Sequence, residues 1–103
     1  FLMPNVATPN DVEGYGMANL ECMYSRLPAI AFAVDALVES NREGGYLVEP
    51  GNYQAFADQI HHYYALSAAE KEDLKKRTRA YVRREYSWEK TSQQYLDVFE
   101  GRI

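Results

Sequence analysis

Apolar residues fall along this chain in two rhythms, and the switches between them divide it into elements. Residues 1–3, Phe-Leu-Met, form a short apolar run ending at Pro4, whose missing N–H suits a strand end better than a centre. Residues 5–12 are polar and contain Pro9-Asn10, which predicts a loop. From Gly16 to Ser25 the period lengthens. Met17, Leu20, Met23 and Tyr24 fall on one face of a helix, so that face is expected to be core. Leu27-Pro28 stops it, because the residue before a proline is pushed out of the helical region. Residues 29–33, Ala-Ile-Ala-Phe-Ala, are continuously apolar, as expected of a parallel strand covered on both faces. A loop with one helical turn is expected over 35–40, and the polar, glycine-ended residues 41–45 predict a tight turn. Tyr46, Leu47 and Val48 make a third strand, closed by Pro50-Gly51.

Three helices are predicted after that. Asn52 is an N-cap for a helix over 53–66, with Phe56, Ile60 and Tyr63 or Tyr64 inward. Ser67-Ala-Ala-Glu70 reads as a capping box opening a helix that runs to about residue 85. Its apolar side is thin: Leu74, Ala80, Tyr81 and Val82. Ser87 caps the last helix, with Trp88, Thr91, Tyr95, Val98 and Phe99 as its expected buried stripe. Three strands separated by long connections predict an α/β fold with parallel pairing and flanking helices, about half of a Rossmann-like sheet. Such sheets bind ligands at the carboxyl ends of their strands, where the stretch from Glu13 to Asn19 falls.

Composition narrows the picture only slightly. With 103 residues, 47% of them hydrophobic, there is material for a single small domain. A net charge of −4 gives no reason to expect nucleic-acid binding. Cys22 is the only cysteine, so no internal disulfide forms and a reducing, cytoplasmic compartment is expected. No apolar run approaches the roughly 20 residues that span a bilayer. The chain starts inside a predicted strand, without an initiator Met or a signal peptide, and is therefore read as a fragment of a longer protein.

The candidate chemistry sits in Glu13-Gly14-Tyr15-Gly16-Met17-Ala18-Asn19-Leu20-Glu21. A strand passing through a glycine turn into a helix aims unpaired backbone N–H groups, at the positive end of the helix dipole, toward an anion. Glu13 precedes the turn and Glu21 lies inside the helix. Carboxylates accept several hydrogen bonds each, so this pattern suits a phosphate-bearing ligand with hydroxyl-rich groups on either side.

Glu13 and Glu21 have seven residues between them, and Cys22-Met23-Tyr24-Ser25-Arg26-Leu27-Pro28 follows. This block resembles the Glu-x7-Glu signature of retaining glycosyltransferases of the two-Rossmann-domain type, the GT-B fold of the "group 1" or glycogen-synthase-like family. There the usual continuation is Glu-Ala-Met-Ala-x-Gly-x-Pro. Phe1-Leu2-Met3-Pro4-Asn5 is similar to the family's lead-in, and Gly44-Gly45-Tyr46-Leu47-Val48-Glu49-Pro50-Gly51-Asn52 resembles its Asn-Gly-Leu-Leu-Val-Pro-Pro-Gly-Asp block. Tyr86-Ser87-Trp88-Glu89-Lys90 resembles the Phe-Ser-Trp-Glu segment that opens the family's last helix.

The resemblance implies the carboxyl-terminal part of the nucleotide-sugar-binding domain over residues 1–103. Its parent would transfer a sugar from a nucleoside diphosphate sugar to an acceptor. By resemblance Glu13 would hold donor-sugar hydroxyls, Glu21 the ribose, and the backbone of Gly16, Met17 and Ala18 would meet the diphosphate, with Gly14 and Tyr15 also at the donor site. The reaction would need no metal and no further cofactor. The other expected partner is an amino-terminal domain of the same chain, without which the piece would be inactive; if the last helix packs toward that domain, its apolar stripe would be partly exposed here and would drive self-association. There are departures from the pattern. Ser25-Arg26 stands where the family often has a small residue and glycine. Asp35-Ala36-Leu37-Val38-Glu39 lacks the glycines and proline of the family's Gly-Gly-x-Pro-Glu loop, so no ligand role is carried to Glu39.

Blander readings stand beside these. Glu13 and Glu21 also fit a solvated loop and a solvated helix face, in which case the chain is a non-catalytic interaction module on a Rossmann-like scaffold. Another nucleotide-sugar enzyme, such as an epimerase, would share the donor site. His61 and His62 are adjacent and diverge by about 100° on a helix, so they are expected to face solvent and not a metal. Cys22 is expected to pack as a small hydrophobe. Lys75, Lys76, Arg77, Arg79, Arg83 and Arg84 make one helix basic; a solvated face balanced by Glu70, Glu72 and Asp73 and a peripheral membrane contact are its two readings.

Overall fold

The continuous apolar run is the middle strand of the sheet. In the computed structural model, which describes residues 1–6 and 17–102, Leu2–Met3 (β1), Ala29–Phe32 (β2) and Gly45–Val48 (β3) form a parallel sheet in the order β1-β2-β3. Leu2 pairs with Ile30, and β2 and β3 are in register from Ala29–Gly45 to Phe32–Val48. All four β2 residues are buried. A strand flanked by two others and covered above and below has no position for a polar side chain, which explains the missing alternation.

The two sides of the sheet carry separate cores. On one side Met3, Ile30, Phe32, Val34, Leu37, Val48 and Phe56 pack together under the helix Tyr53–Ala65 (α3) and the short helix Leu37–Ser40 (α2). On the other, Ala29, Leu20, Met23, Tyr81 and Val82 join the helices Met17–Tyr24 (α1) and Ala68–Glu85 (α4). The helix Trp88–Phe99 (α5) follows. Predicted caps close the helices. Asn52 accepts from the Ala55 N–H at 2.9 Å, Ser67 and Glu70 form the capping box, and Ser87 accepts from the Lys90 N–H at 3.2 Å.

Several expectations need correction. The α1 face is only half core: Leu20 and Met23 are buried, but Met17 and Tyr24 are exposed. Eight residues present one narrow stripe to α4, and Tyr24 instead lies under the Arg79 guanidinium, 4.9 Å from its ring. Of the pair offered on α3, Tyr63 is half-buried and Tyr64 is exposed. On α4, Ala80 is exposed and Thr78 is buried, donating its hydroxyl to the Gly44 carbonyl at 2.9 Å. The third strand begins at Gly45, one residue early, because a Cβ there would overlap the Ala29 carbonyl. Glycine is what lets β3 close on β2.

The apolar stripe of α5 is exposed. None of its residues is buried, and Trp88 and Phe99 are 80% and 81% exposed. Its expected buried stripe meets no opposing core among the described residues, and the helix is tied to α4 by an ion pair between Lys90 and Glu85 at 2.6 Å. The outline shows the consequence. The radius of gyration is 15.3 Å, against about 13 Å for a compact chain of this length, and the principal extents are 48 × 39 × 18 Å.

Candidate functional site

Parallel strands end on one edge, so the turns that follow them gather there. β2 runs into residues 33–36, where Asp35 takes the left-handed conformation with φ 48°, and β3 runs through Glu49, Pro50 and Gly51 to the α3 cap. Four residues separate the end of α1 from the start of β2, which puts the carboxyl end of α1 at the starting edge of the sheet. The Phe1 amino group, which donates to the Pro28 carbonyl at 2.9 Å, marks that edge. The α1 amino end therefore points back toward the edge where the strands finish. Its first N–H groups have no partner within the helix, which favours negative charge there.

Of the candidate donor residues, Glu13, Gly14, Tyr15 and Gly16 lie outside the described residues. Met17 and Ala18 open α1 and are exposed. Glu21 is one turn further along and exposed, and its carboxylate pairs with no described residue. It lines an open groove of about 970 Å³ between α1, the end of α4 and the start of α5, together with Met17, Leu20, Tyr24, Arg83 and Trp88. Cys22 is half-buried and free.

What holds α1 in place was not evident from the motif. Asn19, wholly buried, donates from Nδ2 to Asn41 Oδ1 at 3.0 Å. Asn41, also wholly buried, donates to the Ala29 and Tyr46 carbonyls at 3.2 and 2.9 Å. This short chain of amides clamps the helix to the junction of β2 and β3. The sequence places Asn41 in a polar turn, whereas its side chain is a core strut. Asn19 and Met23 stand four apart, on one helical face, and that spacing was the available signal.

The α1 carboxyl end closes on Arg26, without a glycine. Arg26 takes φ 68°, its N–H bonds to the Met23 carbonyl at 3.0 Å, and the Leu27 N–H bonds to the Cys22 carbonyl at 2.9 Å. This is the Schellman closure, which glycine adopts most easily. Arginine accepts the left-handed strain there while its guanidinium pairs with Glu72 on α4.

His61 and His62 are exposed, and the His62 ring lies edge-on to Tyr46 at 6.1 Å. Among the described residues no three His, Cys, Asp or Glu side chains gather as a metal site, and no helix is long and apolar enough to cross a membrane.

The fold is thus a parallel α/β unit of partial Rossmann type, with its strand ends, a helix amino end and a free carboxylate on α1 as the candidate site. Residues 5–83 match the family "Glycosyl transferases group 1", and the chain belongs to that family. No curated protein gives a significant match to the chain. Sugar transfer, with a nucleotide-sugar donor and an acceptor, is the activity the family defines. The matched span runs from after β1 to the last turn of α4, so it includes α1, β2, β3 and α3 and stops before α5.

Proposed function

We propose that this chain is the carboxyl-terminal, donor-binding portion of a retaining glycosyltransferase of GT-B architecture. The observation that carries the reading is Glu21: a carboxylate on the first helix after β1, unbonded to any described residue, inside the span that matches the family. In this reading the α1 amino end meets the donor diphosphate, Glu21 accepts hydrogen bonds from the ribose hydroxyls, and Glu13 accepts from the sugar. The bond between the anomeric carbon and the diphosphate oxygen breaks, and its electron pair goes to the departing diphosphate. The acceptor oxygen bonds to the same carbon with retained configuration and loses its proton to the leaving phosphate. The N–H groups at the start of α1 oppose the charge that builds on the diphosphate, with no metal ion required.

The test is donor binding by ligand-observed NMR, comparing UDP, GDP and ADP and their glucose and mannose conjugates. One nucleotide is expected to bind the chain weakly and to lose binding with Glu21→Ala. In the full-length parent, the same substitution is expected to weaken donor affinity roughly 10- to 100-fold, the usual effect of losing hydrogen bonds to a charged group. Donor affinity indifferent to Glu21→Ala would instead assign the chain to a non-catalytic interaction module.

A further inference from the structure

One face of the molecule carries positive charge that carboxylates balance only in part. Lys76, Arg79 and Arg83 fall at i, i+3 and i+7 on α4 and so form one stripe. With Arg26 at the end of α1 they line a shallow concavity of about 360 Å³, shared with Glu72 and Ala80. Arg26 pairs with Glu72, but among the described residues no carboxylate pairs with Lys76, Arg79 or Arg83. The neighbouring α4 positions behave otherwise: Arg77 pairs with Asp73, and Arg84 with Glu43 and Glu85. In a chain of net charge −4, an unbalanced cluster of this kind marks a surface with its own partner.

The residues around the cluster identify the chemistry of that partner. Leu27, beside Arg26, is 44% exposed, and Tyr24, beneath Arg79, is 47% exposed. Trp88 is exposed and lines the same groove as Arg83 and Tyr24. Nucleic-acid binding goes with a basic overall balance, and this chain carries a net charge of −4. Leucine, tyrosine and tryptophan bordering a basic stripe suit the layer between lipid headgroups and acyl chains. We propose that this face docks onto a membrane surface rich in anionic phospholipid. Lys76, Arg79 and Arg83 meet headgroup phosphates, while Leu27, Tyr24 and Trp88 enter the interfacial layer. The proposal rests on neither Glu21 nor the α1 amino end, although Tyr24, Arg83 and Trp88 share the groove that Glu21 lines.

Flotation of the chain with vesicles tests it. Binding is expected to phosphatidylcholine mixed with phosphatidylglycerol and not to phosphatidylcholine alone, and it should weaken as salt is raised. Each basic residue near an anionic surface is worth about fivefold in partitioning, so K76Q/R79Q/R83Q should lose roughly 100-fold. Leu27→Ser should lower binding further, and R77Q, on the paired stripe, should leave it unchanged; circular dichroism would confirm that each variant is folded. No binding to the anionic vesicles, equal binding to both kinds, or a loss with R77Q as large as with the triple variant would overturn the proposal. Capture by immobilised heparin without vesicle binding would overturn it too, and would assign the stripe to a soluble polyanion.

Discussion

α1 and α5 carry comparable apolar spacing and end in opposite situations. α1 has eight residues and buries Asn19, Leu20 and Met23; α5 has twelve and buries none. What differs is what stands opposite. α1 lies between α4 and the sheet, and three contacts of different kinds hold it: an apolar pair, the Asn19–Asn41 amide link and the Schellman closure at Arg26. α5 has caps at its amino end, one ion pair to α4, and a Tyr95–Phe99 stack on its own surface. Apolar periodicity states which side of a helix avoids water. It does not state that the rest of the chain can cover that side.

The contrast predicts that substitutions around α1 and the strands it covers are severe and that α5 tolerates them. The largest effect is expected at Gly45. A Cβ there would overlap the Ala29 carbonyl oxygen, a backbone atom that cannot move without breaking the β2–β3 register. Gly45→Ala should destabilise the chain by about 3 kcal/mol, the upper end for overpacking, read as a lower urea midpoint. An unchanged midpoint would mean that the strands do not pair in this register.

Asn41→Ala comes next. It leaves the Ala29 and Tyr46 carbonyls and the Asn19 amide without their partner inside the protein. The expected loss is about 2–3 kcal/mol, and amide exchange should speed up in α1 more than in α3.

Tyr81→Phe should cost about 1 kcal/mol, since it removes the hydroxyl that donates to the Glu39 and Ser40 carbonyls at 3.0 and 3.2 Å. It also has a pH signature. Burial raises the Tyr81 pKa, and a hydrogen bond with Tyr86 adds to the shift. A tyrosine in the unfolded chain ionises near 10. The stabilisation is therefore complete below that pH and declines above it, because the unfolded chain releases its proton first. Alkaline denaturation curves of Tyr81→Phe should lack that part of the decline.

Local signals in the sequence reached the elements; long-range neighbours decided what those elements do. The doubly covered strand 29–32 and the Asn52, Ser67 and Ser87 caps were legible because each depends on a few adjacent residues. The roles of Asn41 and Thr78 were not, since each is set by a backbone carbonyl from another element. Met17 and Tyr24 were misplaced for the same reason: helical spacing gives the axis of the apolar face but not its width. At the candidate site, spacing alone suggested an anion and two carboxylates. The donor roles came from the resemblance, and of those residues Met17, Ala18 and Glu21 are the ones among the described positions.

The smallest predicted effect is the one that tests the contrast from its other side. Phe99 is the most exposed large apolar residue of α5, and its ring stacks on Tyr95 at 6.4 Å. Exposed positions outside caps and cores usually change stability by about 0.5 kcal/mol or less, so Phe99→Ser should barely move the urea midpoint. Leu20→Ala on α1, with a smaller side chain removed from a buried site beside the open groove, should cost about 2 kcal/mol, the low end for a core leucine. The pair is informative because hydrophobicity alone ranks the substitutions the opposite way. If Phe99→Ser proved as damaging as Leu20→Ala, α5 would have a covered face in solution. Its role would then be that of a core helix, and the difference between the two helices would disappear.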